Sequence, residues 1–286
     1  MTKSLLTLLM AVLILSACQV PDHTDQLPTS TATAVPSATF TVSPTATERV
    51  AAQPTDPPPT ATSTPASLEV CSPLEDETFD SLPLIVSNPI DIPGFGQDTG
   101  HHGVDFAYFK RGDRNSIDGV EVYAILSGTT VLTLDDDNPN HPYGYTVLLE
   151  TRLEYLPKDI QTQLMAGYLE VPEDPHYRLY CPEVVNPEVT RNYSIYHLYA
   201  HLSEIPSFNR GDFLPCGKKL GTVGNTGQST HSHLHLETRL GPSGASFTNM
   251  AHYDNYTYEE LSNYCLWRMS GYYQLFDPFF LFDAAE

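Results

Sequence analysis

Polar and apolar residues alternate strictly in the segment His233-Leu234-His235-Leu236-Glu237. Such alternation predicts a β-strand, because successive side chains of an extended chain point to opposite faces. The two histidines and the glutamate therefore share one face, while the two leucines point to the other. The segment predicts a sheet with a buried apolar side and a pair of imidazoles on its second side.

A second polar pattern supplies metal donors of a different kind. His101 and Asp105 lie four residues apart and offer an imidazole nitrogen and a carboxylate oxygen. Together with one histidine of the alternating segment they make three protein ligands, and they leave a fourth position for water, as a catalytic zinc requires. The remaining imidazole titrates near neutral pH and is suited to acid–base work. The two patterns predict a zinc hydrolase.

The rest of the carboxyl-terminal part favours a mainly antiparallel β domain. Short runs of β-branched and apolar residues are separated by Gly, Pro, Asn and Asp, which is typical of strands joined by turns. Residue patterns alone leave a β-sandwich and a β-barrel open. The predicted strands cover residues 120–125, 129–134, 145–151, 194–200, 218–223 and 233–239.

Three motifs occur in an order that resembles a known family. A Gly94-Phe95-Gly96 turn precedes the His101 to Asp105 segment, and Tyr199-Ala200-His201-Leu202 follows further along the chain. Residues 221–237 then combine a glycine-rich turn, Thr-Gly-x-Ser and the His-Leu-His-Leu-Glu segment. Together these motifs resemble the lysostaphin-type, or LytM-like, zinc metallopeptidases, and the resemblance extends over most of residues 90–280.

The resemblance implies a fold, an activity and a role for each site residue. The fold is an open antiparallel β-sheet groove with Zn²⁺ on its floor, held by His101, Asp105 and His235. His201 and His233 match the two non-ligand histidines that act on water and on the transition state. The activity is that of an endopeptidase, which cleaves peptide bonds in peptidoglycan cross-links or stems with a zinc-activated water. Which histidine is the base stays open, and the oxyanion donor is either the second histidine or Tyr199.

For several neighbouring residues, a role in the site competes with a structural or solvent-exposed role. Glu237 is a candidate to orient a ligand, and a solvated charge is the alternative. His231 stands where many family members have the Gly of Gly-Pro, and we favour a structural role for it. We expect His102 to be exposed and inert. No metal role is predicted for the remaining histidines, which are His23, His141, His176, His197 and His252.

The amino-terminal residues predict export and a lipid anchor. Lys3 precedes an apolar run at 5–15, which is too short to span a bilayer permanently and indicates a signal peptide. The run ends in Leu15-Ser16-Ala17-Cys18, which resembles a lipobox, so we assign residues 1–17 to a lipoprotein signal peptide and expect lipid on Cys18. The predicted location is the bacterial cell envelope, with the chain anchored to a membrane through Cys18.

Composition divides the remainder into a tether and one domain. Residues 18–66 are dominated by Thr, Pro, Ser and Ala and cannot bury a core, so they predict a disordered linker. Residues 67–286 suit a single metallopeptidase domain. The formal net charge of −21 argues against a nucleic-acid partner and favours basic substrates or partners.

Two stretches of the domain are longer than ordinary strand connections. The first insertion lies near 152–192, with a short helix opened by Pro157 and stopping near Gly167. The second lies near 241–274, where Thr257 and Glu260 form a Thr-x-x-Glu capping box. Leu261, Tyr264, Cys265 and Arg268 fall on one face of the helix that follows. For the tyrosines of both insertions, we favour packing over a role in substrate binding.

Four cysteines in an exported domain predict two disulfides. Three connectivities are possible for Cys71, Cys181, Cys216 and Cys265. Our preferred pairing joins Cys181 to Cys216 and Cys71 to Cys265.

Two other functions compete with the wall endopeptidase. The domain could be a non-catalytic LytM-like module that binds the wall or activates a separate amidase, or a peptidase that acts on a glycine-rich exported protein. Retention of all five site residues favours an enzyme over the binding module. The substrate alternative stays open at the level of sequence.

Overall fold

The computed structural model describes residues 68–109, 116–135, 138, 141–172, 180–182, 192–252 and 256–285. They all belong to one compact unit, Thr60–Glu286. The predicted signal peptide, Cys18 and the linker lie outside the described residues. Within the described ranges, no helix has the length and apolar content needed to cross a membrane.

The fold is built on an antiparallel sheet of eight strands, which confirms the mainly antiparallel β class. The strands of the chain are β1 (Val86–Asn88), β2 (Val104–Phe106), β3 (Glu121–Tyr123), β4 (Gly128–Leu134), β5 (Tyr145–Arg152), β6 (Tyr193–Leu202), β7 (Phe213–Leu214), β8 (Lys219–Thr222), β9 (Leu234–Pro242) and β10 (Gln274–Leu275). The large sheet has the order β1-β2-β9-β6-β5-β4-β7, and β10 pairs with β9. β3 and β8 form a separate two-stranded sheet.

Each face of the large sheet carries a cluster of buried apolar side chains. Along β6, Ile195 and Tyr199 belong to one apolar cluster, whereas Tyr196, Leu198 and Ala200 belong to a second cluster. This division follows the two-residue period of a strand. The sheet therefore separates two cores, so its second face is covered over part of its area.

The second insertion provides that cover. Its helix α2 (Tyr258–Arg268) begins at the predicted capping box, in which Glu260 N–H donates to Thr257 Oγ1 at 3.2 Å and Thr257 N–H donates to Glu260 Oε2 at 2.6 Å. Three residues of the predicted helical face, Leu261, Tyr264 and Cys265, are buried. Trp267 is buried too, and it packs edge-on against Tyr196 of the sheet.

The remaining helices are short. α1 (Lys158–Gly167) follows Pro157 and ends at Gly167, as predicted, and it buries Ile160 and Leu164. α3 (Phe279–Asp283) buries Leu281 and Phe282 near the carboxyl terminus. Two 3₁₀ turns occur at Leu82–Ile85 and Leu153–Tyr155.

The disulfide pairing differs from our preference, which was wrong. Cys71 is bonded to Cys216, and Cys181 to Cys265. The N–H of Cys71 donates to the carbonyl of Ile125, between β3 and β4, at 3.0 Å. This contact holds Cys71 near Cys216, which lies in the turn after β7. Cys181 instead lies against α2. The two cysteines of each pair are close in space although they are far apart in sequence. Strand and helix patterns do not reveal such proximity.

Candidate active site and metal centre

β9 presents the candidate site on one of its faces. Leu234 and Leu236 are fully buried in the first core, while His235 and Glu237 point to the other face. β2 pairs with β9 so that Asp105 lies directly opposite His235. Side chains of directly opposed residues share a face of the sheet, which brings the carboxylate of Asp105 beside the imidazole of His235.

Two imidazole nitrogens converge on one oxygen of that carboxylate. His101 Nε2 lies 3.1 Å and His235 Nδ1 lies 2.8 Å from Asp105 Oδ1. The second nitrogen of each ring has a hydrogen-bond partner away from Asp105. His101 Nδ1 lies 2.9 Å from the carbonyl oxygen of Pro89, and His235 Nε2 lies 3.2 Å from Glu237 Oε1. Outer partners of this kind fix the orientation of metal-binding imidazoles.

This donor set fits a zinc ion. His101, Asp105 and His235 offer ligand atoms that all lie within 4.8 Å of one another. Two imidazoles and a carboxylate are donors that zinc accepts in catalytic sites. Burial lowers the pKa of His235, but hydrogen bonds with Asp105 and Glu237 outweigh it and raise the pKa to about 9. The position between the two carboxylates therefore stabilises positive charge, as a cation site must.

Two further imidazoles face the same space. His233 Nε2 lies 3.4 Å from Asp105 Oδ1, and its ring centroid is 4.6 Å from that of His201. His233 Nδ1 lies 2.8 Å from the carbonyl of His231, and His201 Nδ1 lies 2.7 Å from the carbonyl of Thr226. A carbonyl can only accept, so both Nδ1 atoms carry the proton and both Nε2 atoms are acceptors. His201, His233 and His235 also form a second group close enough to hold a metal ion.

His201 reaches this face through an irregular backbone. Ala200 lies opposite His235 in the sheet, so regular alternation would turn His201 to the other side. His201 instead has φ of +61°, a left-handed conformation in which histidine is enriched. Its N–H donates to the carbonyl of Tyr143 at 2.9 Å, and its carbonyl accepts from Gly224 at 3.0 Å. These bonds hold the turn that brings the imidazole into the site.

Burial sets the protonation of His201 and His233. Burial, followed by the charges of His235 and His233, lowers the pKa of His201 to about 3. Burial also lowers the pKa of His233. Both rings are therefore neutral at neutral pH and available as proton acceptors.

Glu237 is a fully buried charge, which excludes the solvated alternative. Its carboxylate accepts from Tyr143 Oη at 2.8 Å, from Arg239 Nε at 2.9 Å and from Trp267 Nε1 at 3.0 Å. Burial by itself would raise the pKa of Glu237, but Arg239 and the hydrogen bond with His235 hold it well below its usual value. Arg239 was not predicted as a partner of Glu237, although its position two residues further on puts it on the same face of the strand.

Two expectations about neighbouring residues were wrong. Tyr199 lies in the first core, where its hydroxyl accepts from Ile125 N–H at 2.7 Å, so the sheet separates it from the site. Alternation along β6 still holds at this residue and directs it away from Ala200. His102 is 1% exposed rather than solvated, because Arg239 Nη2 reaches over it and donates to its Nδ1 at 2.9 Å. Burial lowers the pKa of His102 to about 2.

The remaining histidines have other surroundings where the structure describes them. His197 is buried and lies 3.0 Å from Thr151 Oγ1, and His252 stacks on Tyr264. His141 is buried, whereas His23 and His176 lie outside the described residues. His231 packs beside Phe109, with 4.9 Å between ring centroids.

The five predicted site residues lie in the wall of one pocket with a volume of about 420 Å³. β2, β6 and β9 or the residues that flank them supply all five. Phe109, Tyr143 and Arg268 also contribute to the wall. Arg268 comes from the second insertion, so sequence analysis placed it on a helix but not at the site.

Comparison with known proteins adds a partial family match. Residues 183–247 match the sequence model of Peptidase family M23. The match includes His201, His233 and His235, whereas His101 and Asp105 lie outside it. A comparison with curated proteins finds no match.

Several solved structures are similar at low identity. The catalytic domain of lysostaphin from Staphylococcus simulans is 21% identical, with 59% of this chain and 90% of that chain covered and a TM-score of 0.32. The catalytic domain of the prophage-encoded M23 protein EnpA from Enterococcus faecalis is 17% identical, with 63% and 88% covered and a TM-score of 0.31. A Pseudomonas aeruginosa protein described as a candidate peptidase M23 is 20% identical, with 62% and 47% covered and a TM-score of 0.29. This chain thus spans about half the length of the Pseudomonas protein.

Proposed function

We propose that this chain is a zinc-dependent endopeptidase that hydrolyses peptide bonds in peptidoglycan cross-links or stems. The observation that carries the proposal is the convergence of His101 and His235 on Asp105 Oδ1, with two neutral imidazoles facing the same pocket. A site that only held a structural ion would not need two additional proton acceptors on the open side of the donor set.

His101, Asp105 and His235 would hold the ion through Nε2, the carboxylate and Nδ1. When bound in such a site, zinc polarises a carbonyl and lowers the pKa of a coordinated water to about 7. Glu237 orients His235 from behind, and Arg239, Trp267 and Tyr143 fix Glu237 in turn. The site is therefore arranged before substrate binds.

The non-ligand histidines would move the proton. We assign the base to His233, because its Nε2 lies 3.4 Å from the ligand oxygen of Asp105 and its Nδ1–H is tied to the backbone. Nε2 takes a proton from the attacking water and returns it to the leaving amide nitrogen. His201, held through Nδ1–H by Thr226, accepts a hydrogen bond from the same water and orients it. A positioned base contributes roughly 10²–10⁴-fold in rate.

Residues outside the site support the proposed wall substrate and location. The amino-terminal signal and lipid attachment at Cys18 would place the domain outside the cytoplasmic membrane, and the linker would let it reach the wall. The resemblance of the motifs to lysostaphin-type enzymes supports peptidoglycan as the polymer that is cut.

The test combines metal analysis with cleavage of wall material. The full chain, purified without chelators, should contain about one zinc per molecule and release new peptide termini from peptidoglycan, read by mass spectrometry. Asp105→Asn should lose zinc, whereas Asp283→Asn, which changes an exposed carboxylate, should keep both zinc and activity. His233→Ala should keep zinc and lose cleavage.

Each contrary result has a defined meaning. Full activity of His233→Ala would refute the assigned base, and wild-type protein without zinc would refute the metal centre. Zinc occupancy without cleavage of any peptide would favour the wall-binding module. Cleavage of a glycine-rich exported protein but not of peptidoglycan would favour the alternative substrate.

A further inference from the structure

Arg268 gives the candidate active site a feature that the metal centre does not require. It is the last residue of α2, within the second insertion, and it lines the same pocket as His101, Asp105, His201, His233 and His235. Among the described lining residues, it carries the only permanent positive charge. Its side chain is largely shielded, with 15% exposed, and removing a cation from water is costly unless it gains a partner.

Asp98 fixes the arginine through one nitrogen. Arg268 Nε lies 2.9 Å from Asp98 Oδ1, while Asp98 Oδ2 accepts from Tyr264 Oη at 2.7 Å and lies 3.1 Å from His252 Nε2. The guanidinium carbon lies 5.2 Å from the ring centroid of Tyr264. Asp98 therefore pairs with one side of the guanidinium and compensates its charge.

Arg268 lines the wall of this pocket and also of a second one, beside Phe95 and Tyr273. Its two terminal nitrogens have no acceptor in the part of the chain that the structure describes. These two nitrogens form the planar fork that binds both oxygens of a carboxylate. The guanidinium carbon lies 6.0 Å from the ring centroid of Tyr143, whose centroid is 6.3 Å from that of His235. The ring of Tyr143 would thus separate an anion bound to Arg268 from His235, the proposed zinc ligand.

We propose that Arg268 determines substrate specificity by binding a carboxylate of the peptide close to the bond that is cut. The inference rests on the proposed peptidase function and names the substrate class: peptides with a free carboxylate, either at the carboxyl terminus or on a side chain, beside the scissile bond. The formal net charge of −21 works against a general attraction of anions to this chain. A preference for an acidic substrate therefore has to arise from a local contact.

The experiment uses zinc-loaded full-length protein and stem peptides of peptidoglycan that it cleaves. Each carboxylate of the peptide, terminal or side-chain, is replaced in turn by a carboxamide, which separates the two sources of the anion. For one replacement we expect kcat/KM to fall about 10- to 100-fold, mainly through KM, as loss of a charge-assisted pair of hydrogen bonds predicts. Calorimetric binding of the same peptides to His233→Ala should show the same preference without turnover.

Variants assign the effect to the arginine. Arg268→Gln should lower kcat/KM on the acid peptide by the same factor and leave the amide peptide unchanged, so that the preference disappears. Arg268→Lys should restore part of it. Arg152→Gln, which removes an arginine that pairs with Glu154 on the surface, should have no effect.

The outcomes separate this inference from the function on which it rests. Equal cleavage and equal binding of all acid and amide peptides by the wild type would overturn the carboxylate contact while leaving the peptidase intact. An equal loss on both peptides in Arg268→Gln would assign Arg268 a purely structural role and also overturn it. Cleavage of no peptide would refute the peptidase, and the calorimetric comparison would still decide whether Arg268 binds a carboxylate. If Arg268→Gln does not fold, the wild-type comparison of acid and amide peptides remains decisive.

Discussion

Replacing Glu237 by glutamine should damage both stability and metal binding, because one carboxylate serves both. Its carboxylate accepts hydrogen bonds from Tyr143, Arg239 and Trp267, and it also contacts the ring of His235, the proposed zinc ligand. Glutamine keeps the shape but removes the negative charge, and it brings an NH₂ group to a place where acceptors are needed. Arg239 would then be a buried charge without its ionic partner.

The size of the effect follows from burial. Removing one partner of a buried ion pair costs about 3–5 kcal/mol, since the other charge stays out of water. For a domain of this size, each kcal/mol corresponds to roughly 2–4 °C in Tm, so we expect a fall of about 10 °C. Loss of an outer partner of a metal-bound histidine also weakens metal affinity about 10- to 100-fold.

Two measurements on the same protein separate these effects. Urea unfolding in the presence of a chelator gives the stability of the metal-free chain, and competition with a chromogenic chelator gives the zinc Kd. Glu154→Gln is the matched control, because Glu154 has a largely exposed side chain and pairs loosely with Arg152. An exposed pair of this kind contributes less than about 1 kcal/mol.

Either of two results would contradict these roles of Glu237. A loss below about 1 kcal/mol in metal-free Glu237→Gln would mean that the buried carboxylate does not compensate Arg239. An unchanged zinc Kd would mean that Glu237 does not support His235.

Three further predictions concern the scaffold. Burial lowers the pKa of His197 to about 3, whereas its pKa in the unfolded chain is near 6.5. The free energy of unfolding should therefore fall by about 2 kcal/mol through this group as the pH drops from 7 to 5. His197→Gln should flatten the pH dependence of the urea midpoint, and an unchanged slope would contradict this. Replacing Cys71 and Cys216 by serine opens a loop with a sequence separation of 145, so unfolding should become easier by up to about 5 kcal/mol in the chain-entropy estimate; peptide mapping without reductant checks the pairing itself, and a Cys181 to Cys216 peptide would refute it. Gly144→Ala should cost about 3 kcal/mol, because φ is +62° and a Cβ would lie 2.4 Å from the carbonyl carbon of Thr226; a wild-type Tm would exclude that clash.

Local sequence determined the features that depend on neighbours along the chain. The strict alternation at 233–237 fixed which side chains of β9 share a face, because the period of a strand is a property of the backbone. The capping box at Thr257 and Glu260 fixed the start of α2, since both hydrogen bonds join residues three apart. The five candidate site residues were predicted from motifs, and in the structure they line one pocket.

Features that depend on contacts across the domain were beyond the sequence patterns. The disulfide pairing, the burial of His102 beneath Arg239 and the burial of Glu237 by Trp267 all join segments far apart in the chain. Periodicity carries no information about such contacts, because it describes one element at a time.

His201 shows the same division within a single residue. The sequence motif identified this histidine, but regular alternation along β6 would have pointed it into the wrong core. Its left-handed backbone, held by the carbonyl of Tyr143 and the N–H of Gly224, turns the imidazole towards His233. The residue types of the site were therefore determined by sequence, whereas the direction of this side chain was decided by hydrogen bonds that only the folded chain can make.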